Sequence, residues 1–436
     1  MGLENTPPCS PQNMMDLENE DNIIFGEDEA FEVIELDDIP DPLGEEDESL
    51  EDEEGAQASQ SSVQVAIEDN SSMKFNSHGK SVFCVHLRPG DRSIFEAVSG
   101  GEDDKAYLWD IKTGAVNFVF DGYKDSVTHV RFNHDGSYLA AADMSGVIRV
   151  YKLSSSSIVW EFETADITWM EWHPGTNVLF AGTVESECWM WRIPSGDSKI
   201  YMGNGERVEC ATILPDGKRI SVGYGDGSIK IFDLKTGDVQ FNSNADNSSA
   251  AKQTSAVTCI DSNSGYIGYG SVNGIAKIVA ILSGKVVGMF SHANSQAPDN
   301  QMDGDEEAVN NSIECISFSK DKVGAQYLYT ASLSGEINVW DLSTQVVRHS
   351  SILGSGIVKI MSRNKTPSQL FVGTLDGVVI IYDTLAGEVL GSCTGHTAAI
   401  LDIQQSKDGC TLVSSSDDGT ARIFDINKIL NTSPSS

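Results

Sequence analysis

The stretch FDGYKDSVTHVRFNHDGSYLAAADMSGVIRVY, residues 120–151, contains three short strand signals separated by turns. VTHVRF alternates apolar and polar residues, LAAA is continuously apolar, and VIRVY follows the turn pair Ser145-Gly146. A period of two predicts a half-buried strand, and a Gly-containing pair between strand signals predicts a tight turn. The stretch therefore predicts one unit of an antiparallel sheet.

The last strand of this unit recurs along the chain as a short segment that ends on an aromatic or apolar residue and a turn. The copies are KAYLWD (105–110), VIRVYK (147–152), ECWMWR (187–192), SIKIFD (228–233), IAKIVA (275–280), EINVWD (336–341), VVIIYD (378–383) and TARIFD (420–425). Most spacings are 40–42 residues, and polar insertions at 243–253 and 291–311 account for the two longer ones. Short strands at regular spacing without a helical stretch predict an all-β repeat fold.

The units carry WD pairs at Trp109-Asp110 and Trp340-Asp341 and so resemble WD40 repeats, and with eight units this resemblance implies an eight-bladed propeller. A seven-bladed ring with one misassigned unit is the alternative. INKILNTSPSS (426–436) offers no fourth strand for the last blade. SVQVAI (62–67) alternates like a strand ahead of the first repeat, so we predict that it closes the last blade and removes the open edge. This places the propeller at 62–426 and a short C-terminal tail at 427–436.

The charge of the chain is strongly negative and unevenly placed. The formal net charge is −36, and residues 1–72 hold 23 acidic side chains and no Lys or Arg. Dense like charge and few apolar residues predict a disordered acidic tail over 1–61. Within it, residues 23–40 interleave apolar and acidic side chains, which suits a docking motif; a featureless tail is the alternative. Such acidity disfavours direct nucleic-acid binding and favours a basic protein partner.

Several classes of function lack their motifs. The sequence has no apolar run of 18 residues and no signal peptide, so we expect no membrane insertion and a cytoplasmic protein. It has no C-x-x-C pair, no zinc-ligand spacing, no P-loop, no dinucleotide fingerprint, no G-x-S-x-G and no H-E-x-x-H. We therefore expect a monomeric binding protein, not an enzyme, without cofactor or metal. Cys84, Cys210, Cys259 and Cys315 share one repeat position and suit buried free thiols.

The units resemble WD40 repeats over residues 63–426. The resemblance rests on Trp109-Asp110, Trp340-Asp341, the weaker FD and YD pairs, and Gly395-His396. Trp191-Arg192 and Val279-Ala280 depart most from the pattern. The resemblance implies a structural role for His78 and His396, and for the turn acids Asp103, Asp226, Asp376 and Asp418.

The resemblance also implies a binding face. In WD40 blades a bulge turns one inner-strand residue to the top opening, here Phe83, Thr128, Thr168, Glu209, Thr258, Glu314, Val358 and Leu401. The residue before the turn acid reaches the same surface, here Glu102, Met144, Val184, Gly225, Val272, Leu333, Leu375 and Asp417. From these sixteen we predict a peptide-binding set of Glu102, Glu209, Glu314, Asp417, Phe83, Leu333, Leu375 and Leu401. The set suits a short, basic and partly apolar peptide.

Three longer motifs narrow the resemblance further. Residues 120–151, ITWMEWHP (167–174) and TGHTAAILDI (394–403), with the acidic N-terminal segment, are similar to the angio-associated migratory cell protein family. That family includes a yeast chaperone of a newly made large-subunit ribosomal protein. The resemblance implies a ribosome-assembly factor that holds the basic N-terminal segment of such a client. A scaffold in cytoskeletal or signalling complexes linked to cell migration is the alternative.

Overall fold

The computed structural model describes residues 68–90, 95–243, 255–292, 311–319 and 327–432. These residues form 32 strands and one helix. The strands pair as eight four-stranded sheets. Seven sheets consist of four consecutive strands, whereas the eighth joins the last three strands to the first. The prediction of an all-β, eight-bladed propeller is confirmed, and the seven-bladed alternative is wrong. The predicted tail, residues 1–61, lies outside the described residues.

The strands of the first four blades follow β1 (Met73–Phe75). They are β2 (Val82–Leu87), β3 (Glu96–Gly101), β4 (Ala106–Asp110) and β5 (Val116–Phe120) in blade 1; β6 (Val127–Phe132), β7 (Tyr138–Asp143), β8 (Val147–Lys152) and β9 (Ser157–Glu163) in blade 2; β10 (Ile167–Trp172), β11 (Val178–Thr183), β12 (Glu187–Arg192) and β13 (Ser198–Met202) in blade 3; and β14 (Val208–Ile213), β15 (Arg219–Tyr224), β16 (Ile229–Asp233) and β17 (Val239–Asn242) in blade 4.

The other four blades follow the same plan. They contain β18 (Val257–Ser262), β19 (Tyr266–Ser271), β20 (Ile275–Ala280) and β21 (Val286–Ser291) in blade 5; β22 (Ile313–Phe318), β23 (Tyr327–Ser332), β24 (Glu336–Asp341) and β25 (Val346–Ile352) in blade 6; β26 (Ile357–Ser362), β27 (Gln369–Thr374), β28 (Val379–Asp383) and β29 (Glu388–Cys393) in blade 7; and β30 (Ile400–Gln405), β31 (Thr411–Ser416) and β32 (Ala421–Asp425) in blade 8. Helix α1 (Ile426–Thr432) ends the described chain.

The inner strand of each blade contacts the inner strands of both neighbouring blades. β2 contacts β6 on one side and β30 on the other, so the ring is closed. Neighbouring blades approach through small residues on the second strand. A Cβ at Gly100 would lie 2.7 Å from the Cγ1 of Val127, and one at Gly182 would lie 2.4 Å from the Cγ1 of Val208. Only a small residue permits this blade spacing.

The four cysteines predicted to share a repeat position do so, each opposite such a small residue on the second strand. They are Cys84, Cys210, Cys259 and Cys315. All are free thiols, and burial raises the pKa of Cys84 to about 12. The thiol of Cys84 is therefore uncharged at neutral pH and serves packing.

The ring is closed by a different strand from the one predicted. β1 pairs antiparallel with β32, with Met73 opposite Ile423 and Phe75 opposite Ala421. The Phe75 ring is buried and stacks on Trp109 of blade 1, with ring centroids 4.6 Å apart. The assignment of the closing strand to residues 62–67 is thus corrected; those residues lie outside the described part of the chain. The burial of the Phe75 ring against blade 1 determines which segment closes the ring. A strand-like alternation of apolar and polar residues does not determine it.

The end of the chain is also more ordered than predicted. Helix α1 begins at Ile426, and Ile426 and Ile429 are buried in a cluster with Phe424 and Cys393 from blades 8 and 7. The predicted C-terminal tail at 427–436 therefore begins as a packed helix. No helix among the described residues is long and apolar enough to cross a membrane.

Candidate functional site

Each inner strand begins with a β-bulge at the residue predicted to face the top of the ring. In β22 the register shifts between Ile313 and Cys315, which are both buried, and Glu314 between them is half-buried. The same shift occurs in all eight blades, at Phe83, Thr128, Thr168, Glu209, Thr258, Glu314, Val358 and Leu401. Because a bulge re-aims a side chain out of the pleat, a carboxylate at Glu314 does not have to be buried in the sheet.

The residues before the turns lie beside these bulges. The N–H of Asp417 donates to the carbonyl of Ala399, which precedes β30, and the N–H of Glu102 donates to the carbonyl of Ser81, which precedes β2. Equivalent bonds form in all eight blades, from Glu102, Met144, Val184, Gly225, Val272, Leu333, Leu375 and Asp417. The sixteen predicted residues therefore lie at one end of the ring, and we call this surface the top face.

Two of the four predicted acids on the top face have no cationic partner among the described residues. Glu314 accepts a hydrogen bond from the Ser312 hydroxyl at 2.6 Å, and Asp417 accepts one from the Ser81 hydroxyl. Asp417 is exposed, and Glu314 is half-buried. A hydroxyl donor leaves the negative charge in place, so both carboxylates can still accept a charge-assisted bond from a cation.

The other two acids are paired with cations of the same chain. The Arg207 Nε lies 3.0 Å from the Glu209 Oε1, and the Lys80 Nζ lies 3.9 Å from the Glu102 Oε1. Burial raises the pKa of Glu209, and Arg207 opposes that shift. Sequence reasoning missed both cations because they precede the inner strands and are not among the sixteen positions. Their position just before β14 and β2 was the available signal.

The apolar residues of the predicted set lie mainly near Glu314 and Asp417. Leu375 is 43% exposed, while Phe83, Leu333 and Leu401 are half-buried. Blade 7 lies between the blades of Glu314 and Asp417, and its top-face residues are Val358 and Leu375. We call the top face of blades 6–8 the acidic sector; its residues are Glu314, Leu333, Val358, Leu375, Leu401 and Asp417.

The top face of blades 2–5 differs, and we call it the threonine sector. Its bulges carry Thr128, Thr168, Glu209 and Thr258. The Thr168 hydroxyl donates to the carbonyl of Gly182 at 3.2 Å, and the Thr258 hydroxyl donates to the carbonyl of Ile313. These hydroxyls are satisfied inside the protein, and Glu209 is already paired. At its four bulges the threonine sector therefore offers less unpaired charge than the acidic sector offers at Glu314 and Asp417.

The predicted structural turn acids take part in bonds within their blades. In blade 1, Nδ1 of His78 donates to Asp103 at 2.8 Å, and Nε2 accepts from the hydroxyl of Ser99, which itself accepts from the Trp109 indole. In blade 8, Asp418 lies 2.9 Å from His396. Asp226 accepts a hydrogen bond from the backbone N–H of Ser228 at 2.8 Å, and Asp376 accepts one from the backbone N–H of Ser355 at 3.0 Å.

A third such network centres on His292, which sequence reasoning missed. Nε2 of His292 lies 2.6 Å from the Thr330 hydroxyl, which also accepts the Trp340 indole N–H at 2.8 Å. The carboxylate of Glu336 takes the place of a turn acid, 3.2 Å from Nδ1 of His292. The imidazole of His292 and the bond from Asn338 lower the pKa of Glu336 to about 2. The insertion that follows His292 hides its repeat position in the sequence.

The central channel contains a charge network that the sequence did not reveal. Asp402 of β30 is 3% exposed, and its carboxylate lies 3.4 Å from both Arg131 of β6 and Lys359 of β26. Burial opposes ionisation of Asp402, but the two cations outweigh it and hold the pKa of the carboxyl below its usual value. One carboxylate therefore links blades 2, 7 and 8 below the top face.

Burial also shifts the pKa values of other titratable groups in the channel. Burial lowers the pKa of His86 to about 3 and that of His129 to about 4, so both are neutral at pH 7. Desolvation by the surrounding protein raises the pKa of the Glu171 carboxyl. Among the described residues, no group of His, Cys, Asp and Glu is arranged to hold a metal ion.

Two cavities among the described residues lie away from the top face. The larger, about 1200 Å³, opens at the other end of the ring beside blades 8 and 1, and its lining includes His86, Arg88 and Gln404. Arg88 is already paired with Glu96 there. The smaller cavity, about 90 Å³, lies on the wall between blades 5 and 6. Neither of these two cavities is lined by a residue of the predicted peptide-binding set.

Family models match three parts of the chain. The "WD domain, G-beta repeat" model matches residues 387–425, the "Anaphase-promoting complex subunit 4 WD40 domain" model matches 170–265, and the "Eukaryotic translation initiation factor eIF2A" model matches 62–213. Among solved structures, the Chaetomium thermophilum Sqt1 bound to the N-terminus of the ribosomal protein L10 is similar in fold. Its TM-score is 0.71 at 21% identity, and the match covers 82% of this chain and 100% of that chain.

Two curated relatives match over nearly the whole length. The Saccharomyces cerevisiae ribosome assembly protein SQT1 is 23% identical over 425 residues, which are 89% of this chain and 93% of the relative. The human angio-associated migratory cell protein is 38% identical over 420 residues, which are 92% of this chain and 93% of the relative. With this identity over this length, and with eight WD40 blades, the chain belongs to the angio-associated migratory cell protein family.

Proposed function

We propose that the protein is a non-enzymatic chaperone that captures the basic N-terminal segment of a newly made large-subunit ribosomal protein on its top face. Ribosomal proteins are made in the cytoplasm, and this is where the capture would occur. The chaperone would shield the segment from RNA and from aggregation until the client reaches the assembling subunit.

The observation that carries the proposal is a pair of carboxylates in the acidic sector, Glu314 and Asp417, for which the described part of the chain provides no cationic partner. They lie on either side of blade 7, which presents Val358 and Leu375. Arg or Lys of a ligand would donate charge-assisted hydrogen bonds to the carboxylates. The aliphatic stems of the same side chains would lie on the leucines, because long basic side chains bury their methylenes while the charged group stays hydrated.

The charge of the rest of the chain supports the same kind of ligand. Residues 73–436 carry −13 of the net −36, and the remaining charge comes from the N-terminal 72 residues. A negative field of this kind accelerates encounter with a basic protein and repels nucleic acid. Ribosomal proteins are basic because they bind RNA, so an acidic chaperone competes with premature RNA contacts.

The relatives support the client class. The yeast relative is a ribosome assembly protein, and the Chaetomium thermophilum relative has been crystallised with the N-terminus of the ribosomal protein L10. Their identity to this chain is 23% and 21%, respectively, so the client of this chain has to be determined directly.

Affinity capture from a translating extract tests the proposal. The tagged full chain is compared with Glu314→Lys, and nascent chains that co-purify are identified. The proposal predicts a basic large-subunit ribosomal protein with the parent and its loss with the variant, and it predicts that raising the salt concentration releases the client. Recovery of cytoskeletal or signalling proteins, equally with both chains and with little dependence on salt, would instead support the scaffold alternative.

A further inference from the structure

Blade 4 is the one blade whose residue before the turn on the top face is a glycine. The equivalent residue in the other seven blades has a side chain, and Gly225 does not adopt the left-handed backbone conformation that favours glycine. A left-handed backbone therefore does not explain why position 225 is a glycine. The absence of a side chain leaves space beside it, and this space explains the glycine better.

Arg207 and Glu209 use that space. A Cβ at position 225 would lie 3.3 Å from Cγ of Arg207, 3.4 Å from Oε1 of Glu209 and 3.8 Å from Oε2 of Glu206. The stem of Arg207 thus runs beside Gly225, and its Nε lies 3.0 Å from the carboxylate of Glu209. Arg207 thus lays its stem on a flat surface and places its guanidinium on a carboxylate. We propose the same arrangement for an arginine of the client.

The exposure of the two side chains indicates which can leave. The Arg207 side chain is 54% exposed, whereas that of Glu209 is 23% exposed. An exposed arginine can turn into solvent without uncovering apolar surface, while Glu209 is fixed at the bulge. In the acidic sector, the hydroxyls of Ser312 and Ser81 donate hydrogen bonds to the carboxylates. No described cation of the chain competes with a ligand for these carboxylates.

We infer that Arg207 is an internal competitor for an arginine subsite on blade 4, formed by Glu209 beside Gly225, and that a client arginine binds there by displacing it. This inference rests on the proposed function. Arg207 lowers the affinity for basic segments and makes the top face selective. A ligand that engages only Glu209 gains little, because one ion pair replaces another. A ligand anchored on Glu314 and Asp417 can add Glu209 as a further contact.

A synthetic peptide of the L10 N-terminus tests the inference. Its affinity is measured for the full-length parent protein and for three variants of it. Arg207→Ala should bind about two- to fivefold tighter, the range expected for release of an exposed ion pair. Adding Glu209→Gln to Arg207→Ala should cancel that gain. Lys152→Ala removes an equal charge from an exposed position at the other end of the ring, at the end of β8, and should leave the affinity unchanged.

The outcomes separate this inference from the proposed function. If the parent does not bind the peptide, both fail. If the parent binds and Arg207→Ala binds equally or more weakly, the inference alone is overturned. A gain of equal size in Lys152→Ala also overturns it, because net charge would then be the cause. Melting temperatures of the four proteins confirm that folding is intact.

Discussion

Blades 6–8 and blades 2–5 begin each inner strand with the same bulge, yet the side chains that reach the top face differ. The acidic sector combines carboxylates without described cationic partners and apolar residues. The threonine sector carries hydroxyls bonded inside the protein and a carboxylate paired with Arg207. One backbone geometry, repeated eight times, thus supplies equivalent positions, and the residue at each bulge sets the charge and polarity of that position. If the top face is the binding site that we propose, its specificity is set by single residues on a shared repeat frame.

The largest expected effect concerns the seam at which the acidic sector ends. β1 closes blade 8, and the buried Phe75 stacks on Trp109 of blade 1. Phe75→Ala should lower the free energy of unfolding by about 3–5 kcal/mol, as for other buried aromatic residues truncated to alanine. Val65→Ala, in the segment first predicted to close the ring, should change it by less than about 0.5 kcal/mol. Denaturant unfolding measures both, and equal losses would return residues 62–67 to the closing role.

The next effect compares the two sectors at equivalent positions. Glu314→Lys replaces attraction by repulsion in the acidic sector and should weaken binding of the L10 N-terminal peptide by on the order of 2–5 kcal/mol. Thr128→Lys introduces the same side chain at a bulge of the threonine sector and should weaken binding by no more than about fivefold. Titration calorimetry gives both affinities. Equal losses would mean that the sectors do not differ as ligand sites.

Two adjacent acids of blade 8 should separate stability from binding. Asp418 is hydrogen-bonded to His396 and Thr420, and these bonds outweigh burial and hold the pKa of its carboxyl below the usual 3.8. Asp418→Asn should cost about 1–3 kcal/mol at pH 7, the range for an unsatisfied buried partner.

The pH dependence follows from the direction of that shift. A lowered pKa contributes stability that is present above the unfolded pKa, near 4, and is lost as the pH falls through the folded pKa. The difference in unfolding free energy between parent and Asp418→Asn should therefore be constant from pH 7 to about pH 5 and shrink below pH 4. A difference that grows on acidification would contradict the assignment.

The smallest effect is expected next to it. Asp417 is exposed and accepts a hydrogen bond from Ser81 of blade 1. Asp417→Asn should weaken peptide binding by up to about fivefold, as expected for an exposed ion pair, and leave the melting temperature unchanged. The parent protein and Asp418→Asn are the controls. Loss of stability without loss of affinity would make Asp417 a turn residue like its neighbour.

The sequence was sufficient to predict the repeated features. Eight repeats predicted eight blades, and the resemblance to WD40 blades predicted a bulge in each inner strand, because both features recur in every repeat. The closing strand was not predictable from periodicity: Met73–Phe75 is three residues long, and Phe75 is buried only because Trp109 lies beside it in space.

The electrostatics of the site were less predictable for the same reason. Arg207 and Lys80 lie outside the repeat positions and reach Glu209 and Glu102 only in the folded chain. Asp402 meets cations from two other blades, and no pattern within one repeat can indicate such a contact. The fold therefore determines which carboxylates of the top face lack a cationic partner among the described residues.

Hydrogen exchange of the full chain with and without the L10 N-terminal peptide locates the ligand on the ring without a mutation. We expect slower exchange at the top-face ends of β22, β26 and β30 and in the turns before β24, β28 and β32, and a smaller change in blade 4. The corresponding amides of blades 2 and 3 should exchange at the same rate. Protection confined to blades 2 and 3, or to the outer wall of the ring, would contradict the acidic sector as the binding site.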